Sequence, residues 1–111
     1  MTAPRVTPAD IEANIASEFY FTAADGVRGE LLSSLPELGV NFGGDNPLSL
    51  LTFCVLVLKN GFTVTGESAC ASPENFDAEV GRKIARQNAV SRIWPLMGYE
   101  LRTKLAGGAA A

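Results

Sequence analysis

Asn60-Gly61 separates two β-rich runs, Leu50–Leu58 and Phe62–Ala69, and no other pair of residues constrains the chain as much. Asn-Gly favours a two-residue type I′ turn, in which both central positions need a positive φ. A register follows directly. Lys59 faces Phe62, Val57 faces Val64, Val55 faces Gly66, Phe53 faces Ser68 and Leu51 faces Cys70 on one side. Leu58 with Thr63, Leu56 with Thr65, Cys54 with Glu67 and Thr52 with Ala69 make the other. The first side is expected to meet a helix. The second mixes leucines with threonines and a glutamate, which suits a face half covered by a partner. In this register Cys54 and Cys70 point to opposite faces, so no disulfide joins them, consistent with a reducing compartment.

Helices are expected on both sides of the hairpin. Thr7 reads as an N-cap, with Pro8 at the first helical position and Asp10 at the positive end of the dipole. Ile11, Ile15 and Phe19 would form the buried stripe of a helix reaching about Phe19. Ala24-Asp25-Gly26 reads as a turn, Glu30 to Leu38 as a short helix interrupted by Pro36, and Gly39 to Pro47 as a loop. After the hairpin, Ser72-Pro73-Glu74 and Asn75-Phe76-Asp77 are successive capping signals before a helix from about Asp77 to Trp94. Phe76, Val80, Ile84, Val90 and Trp94 share one arc of that helix and are expected to dock on the sheet. Pro95 is expected to end it, with Met97 to Leu105 as a second helical piece or an extended return. The whole reads as an α+β fold, with an N-terminal helix, an antiparallel β-hairpin and a C-terminal helix. Residues 1–105 form one domain, and 106–111 are an Ala-Gly tail expected to be disordered.

With 111 residues, 47% of them hydrophobic, the chain can build one small core, and oligomerisation would secure it. The apolar run Leu50–Leu58 is too short to cross a bilayer, and the N-terminus lacks the apolar segment of a secretory signal, so a cytoplasmic location is expected. Charge is unevenly placed. Residues 1–76 carry nine acids against three bases, while residues 77–111 carry three acids against six bases. An acidic total, −3 overall, opposes an extended duplex nucleic-acid footprint but leaves room for one small anion held by local arginines.

Catalytic chemistry finds little support. The chain has no histidine, so Ser68 in Gly66-Glu67-Ser68-Ala69-Cys70 has no histidine base, and the elbow pattern lacks its last glycine. The cysteine spacing matches no zinc motif, and neither a metal nor a cofactor is expected. Binding is the better reading. Asn75-Phe76 places an amide and an aromatic at a strand-to-helix junction, where Asn75 either caps and Phe76 enters the core, or Phe76 stacks on a base whose edge Asn75 or Asn88 reads. Arg82 and Arg86, one turn apart, together with Arg102 would be enough for a phosphate clamp. Arg82, Lys83 and Arg86 also fit a plain solvated face, with Glu79 and Lys83 at i, i+4.

The segments LTFCVLVLKNGFTVTGESACASPENFDAEVGRKIARQNA and IWPLMGYELR, with IEANIASEFYFTAADG at the front, resemble a family of small tailed-phage proteins, the gp-forty-nine-like family. The Asn-Gly-Phe turn, the Ser-Ala-Cys strand end with Asn-Phe following, and the Gly-Arg-Lys helix occur together. That family is similar to the Thoeris anti-defence sponges, which bind cyclic ADP-ribose-type immune signals without cleaving them; related sponges hold cyclic oligonucleotides in oligomers. The resemblance implies a non-enzymatic protein of the host cytoplasm, assembled as a homodimer or larger homo-oligomer. It implies that Phe76 stacks on adenine, with Asn75, Arg86, Asn88 and Arg102 as the polar contacts. A phage accessory protein that binds a host protein through the mixed hairpin face is the alternative.

Overall fold

A computed structural model describes residues 3–35 and 46–110. The fold is α+β, with a three-stranded antiparallel sheet whose strands β1 (Ile15–Thr22), β2 (Leu51–Leu58) and β3 (Thr63–Ala69) lie side by side in chain order, and a long C-terminal helix across one face. The expected loop from Gly39 to Pro47 falls mostly outside the described residues; Pro47 itself begins a 3-10 turn, Pro47–Leu50.

The N-terminal capping signal forms as expected: Thr7 and Asp10 exchange hydrogen bonds in a capping box that starts α1 (Pro8–Ala13). The helix stops much earlier than expected. Asn14 caps it, and β1 (Ile15–Thr22) replaces the predicted continuation to Phe19. The residues Ile15-Ala-Ser-Glu-Phe-Tyr-Phe-Thr22 are rich in aromatic and β-branched side chains, which suit a pleated strand. Asn14 fixes the change of direction, its carbonyl accepting from the Lys59 N–H at 3.0 Å. The supposed turn at Ala24-Asp25-Gly26 is helical as well. Thr22 and Asp25 form a second capping box and open α2 (Ala23–Ser34).

The hairpin pairs β2 (Leu51–Leu58) with β3 (Thr63–Ala69), one residue out of the expected register: Val57 meets Thr63, Leu56 meets Val64 and Cys54 meets Gly66. The cause lies in the turn. Within the turn only Gly61 has a positive φ, +88°, so Asn60 does not adopt the type I′ conformation. Gly61 N–H donates to the Leu58 carbonyl and Leu58 N–H to the Phe62 carbonyl, closing a three-residue loop whose last member is left-handed. Asn60 braces it by accepting from the Phe62 N–H.

A one-residue slip exchanges the faces of β3. The expectation for β2 was inverted too, because Thr52, Cys54, Leu56 and Leu58 are the buried residues and not a half-covered partner face. Phe53, Val55 and Val57 lie on the opposite face with Phe19 and Phe21 of β1. Cys54 and Cys70 therefore share a face, and both are free thiols because they lie far apart along the strands.

Above the buried face runs α3 (Ala78–Ala110), an unbroken helix of 33 residues. Its start agrees with the double capping signal: a 3-10 turn at Pro73–Asn75 is followed by Asp77, whose carboxylate accepts from the N–H groups of Glu79 and Val80. Pro95 does not end it. The missing N–H deprives the carbonyl of Ser91, but both residues are exposed and water can take the vacant place. The helix continues through the Ala-Gly residues from Ala106, where the sequence suggested none.

The docking stripe differs from the expected arc. Gly81, Ala85, Ala89 and Ile93 are buried at four-residue intervals, whereas Val80, Ile84 and Trp94 remain substantially exposed. Small residues prevail because the helix backbone passes very close to the sheet. A Cβ on Gly66 would lie 2.2 Å from both the Ala85 carbonyl oxygen and the Ala89 nitrogen. Ile11, Cys54, Leu56, Leu58, Val64 and Ile93 complete the core.

Candidate ligand-binding site

Phe76 sits where the end of β3, the start of β2 and the first turns of α2 and α3 converge. Three clefts open around its ring. One of about 150 Å³ is walled by Thr52, Ser68, Cys70, Asn75, Val80 and Ile84. A second, about 230 Å³, has Thr22, Asp25, Arg28 and Ser49, and a third of about 80 Å³ has Tyr20, Asp25, Thr52 and Arg82. Each is smaller than the 300–1,000 Å³ usual for a whole small-molecule ligand. Together they could seat a base on one side of Phe76 and polar groups on the other.

The polar lining follows from local capping. Asp25 is held at the mouth by the Thr22 backbone N–H, which keeps its carboxyl below the usual carboxylate range, and the charges of Arg28 and Arg82 add to this. Beneath it the Thr52 hydroxyl is buried and has no hydrogen-bond partner among the described residues, while lining two of the clefts. An orphaned buried hydroxyl costs about 1–3 kcal/mol, so a polar atom from water or a ligand is favoured there. Tyr20 closes one side, and burial is the main reason its phenol is pushed up to about 12.

Of the five residues singled out in the sequence, Asn75 and Phe76 share this site. The others are placed elsewhere. Arg86 reaches across to β1 and α1, donating from Nε to Glu18 at 3.0 Å and from Nη2 to Glu12 at 3.0 Å. These bonds, the Glu12 contact foremost, raise its pKa further, and any phosphate there would compete with two carboxylates. Asn88 donates to the Glu67 carbonyl at 2.7 Å and so ties α3 to β3. Arg102 stands 24 residues beyond Ala78, about 36 Å along the helix, so one protomer cannot bring it to a ligand on Phe76.

The cations that do flank Phe76 are Arg28 and Arg82. Sequence spacing had no means of finding Arg28, since α2 was read as a turn and a separate later helix. Arg82 is legible in the sequence as one of two helix arginines that fit either a solvated face or a phosphate clamp. A wider cleft, about 470 Å³, lies at the far end of the sheet between α1, the hairpin turn and α3. It offers no aromatic ring, and its cations Arg5, Lys59 and Lys104 are interleaved with Asp10 and Glu100.

Among the described residues, no helix is long and apolar enough to cross a membrane. A family model described as the phage protein (N4 Gp49/phage Sf6 gene 66) family matches residues 6–105. No curated protein and no solved structure matches the chain.

Proposed function

We propose that this chain, which belongs to that phage protein family, is a sponge: it binds a cyclic ADP-ribose-type immune signal, or a related cyclic oligonucleotide, and withholds it without cleaving it. The setting is the cytoplasm of the infected host. The observation that carries this reading is the half-buried Phe76 ring among three clefts, with the Asn75 amide on one side and Arg28 and Arg82 on the other. An aromatic face accepts any base, an amide can read its edge, and guanidinium groups clamp phosphate. Resemblance of the Asn75-Phe76 junction to the sponge proteins supports the same assignment. Histidine, the commonest general base, is absent from the chain, which suits withholding the signal better than cleaving it.

Calorimetric titration with a panel of cyclic ADP-ribose isomers and cyclic di- and trinucleotides tests the proposal. One member is expected to bind and to be recovered intact after heat denaturation. Arg82→Ala and Arg28→Ala should each weaken that binding about tenfold or more while leaving the melting temperature unchanged, since a charge-assisted hydrogen bond is worth about 1.5–3 kcal/mol. Failure of the parent to bind any member removes the sponge reading, and a linearised product makes the protein an enzyme. The alternative, docking to a host protein, keeps one supporting observation: Phe19 on the open sheet face is 56% exposed. The β2 side of the mixed face, Thr52, Cys54, Leu56 and Leu58, is buried in the core and not open to a partner.

A further inference from the structure

Hydrogen bonds at the two ends of the hairpin fix which way each strand turns its main chain. The Leu58 N–H donates to the Phe62 carbonyl and the Leu50 carbonyl accepts from the Cys70 N–H, so the even-numbered residues of β2 bond toward β3. Its odd-numbered residues bond toward β1, where their partners are Ser17, Phe19 and Phe21. Glu18, Tyr20 and Thr22 therefore turn their N–H and C=O groups outward, away from the sheet.

The outer edges of the sheet, β1 and β3, are treated differently. A helix blunts the β3 edge. Asn88 of α3 donates to the outward Glu67 carbonyl at 2.7 Å, and Arg92 lies over the same edge, 3.2 Å from the Thr65 hydroxyl and 3.7 Å from the Glu67 carboxylate. On β1 the Thr22 N–H is taken by the Asp25 carboxylate at 3.0 Å. Arg86 reaches Glu18 only through its carboxylate, so the outward main chain of Glu18 and Tyr20 has no partner among the described residues. An open edge of this kind is a template for one more strand.

The side chains beside that edge state what the strand must carry, because residues directly opposite each other in a sheet share a face. Phe19 and Phe21 stand on the open face, with Val55 and Phe53 paired behind them, so the residues added next to them would be apolar. On the other face Glu12 and Glu18 share the one guanidinium of Arg86, a balance of one negative charge, so the residue between the two apolar ones would be basic. A second copy would set this negative surplus against its own image, and like charges across a contact oppose it.

We infer that the β1 edge from Ser17 to Phe21 is a docking site for an extended segment of another protein, in which apolar residues flank a basic one. The added strand takes the N–H and C=O groups of Glu18 and Tyr20 as its hydrogen-bond partners. This inference does not depend on any ligand at Phe76.

A short fluorescein-labelled peptide that alternates valine with arginine, titrated by fluorescence anisotropy against the full chain, is the probe. Its dissociation constant is expected on the order of micromolar, as for a small transient interface, and about tenfold or more below that of the same peptide with glutamate in place of arginine. N-methylation of alternate peptide amides separates strand pairing from charge attraction alone: methyls on the set facing β1 should abolish binding, and methyls on the other set should be tolerated. Bound peptide should slow hydrogen exchange at the Glu18 and Tyr20 amides and leave that of Thr65 unchanged. Phe19→Thr keeps a strand former at an exposed position and should weaken binding up to about fivefold with an unchanged melting temperature. An arginine peptide that does not bind overturns the inference, as does equal tolerance of both methylated sets or protection confined to β3. Slow exchange at Glu18 and Tyr20 in the free protein that is lost on dilution also overturns it, because a second copy would then be the occupant.

Discussion

Gly66 decides how near the long helix can come to the sheet. Its φ is ordinary, so the requirement for glycine is purely one of space: the nearest atoms to an added Cβ are backbone atoms of Ala85 and Ala89, which no rotamer change can move aside. Gly66→Ala should therefore push α3 off β3 and cost about 3 kcal/mol or more, at the upper end of overpacking effects. Gly98 offers the control. An added Cβ there meets nothing within 4 Å, and the residue lies inside a helix, so Gly98→Ala should stabilise by about 0.5–1 kcal/mol. Urea denaturation of both variants checks the pair, and equal effects would mean that the helix does not ride on Gly66. Asn88 and Arg86 belong to the same scale. Each looked like a ligand contact when read as an isolated polar residue on a helix, but each has a partner from a distant strand or helix, Glu67 for one and Glu12 with Glu18 for the other.

At the level of elements, what was legible were the signals whose physics is local. Thr7-Pro8-Ala9-Asp10 began a helix, the Asn60-Gly61 region made a hairpin turn, and Asp77 opened α3. Errors arose where tertiary structure had the deciding vote. Ile11, Ile15 and Phe19 satisfy a helical period, yet the chain leaves the helix at Asn14 because β2 offers a strand edge to pair with, which periodicity cannot see. The apolar arc of α3 was chosen by side-chain size, while the sheet selected Gly81, Ala85 and Ala89 for their lack of it. In the candidate site the Asn75-Phe76 junction was legible, and Arg28 was not, since its place depends on how α2 packs. The hairpin register supplies the sharpest test of this account. Leu56 is fully buried, so Leu56→Ala should lose about 2–5 kcal/mol, and Val55→Ala on the opposite face about 1 kcal/mol or less. The originally expected register demands the reverse order, and urea midpoints distinguish the two.

At the scale of the whole molecule the protomer measures 61 × 32 × 17 Å, long and thin because one 33-residue helix crosses and outruns a sheet of three short strands. Such a shape buries little for its size. Among the described residues the largest fully buried side chains are Ile11, Cys54, Leu56 and Ile93, a small set on which to found a stable monomer. Were two copies to pair, folding and association would become a single equilibrium, and stability would then depend on protein concentration. Raising the concentration a hundredfold adds about 2.7 kcal/mol per dimer, from RT times the logarithm of that ratio. Unfolding entropy of about 2.1 cal/mol/K per residue gives roughly 470 cal/mol/K for two chains, so the melting temperature should rise by about 6 °C. Differential scanning calorimetry at the two concentrations measures this directly. A melting temperature indifferent to concentration would show that the protomer stands alone.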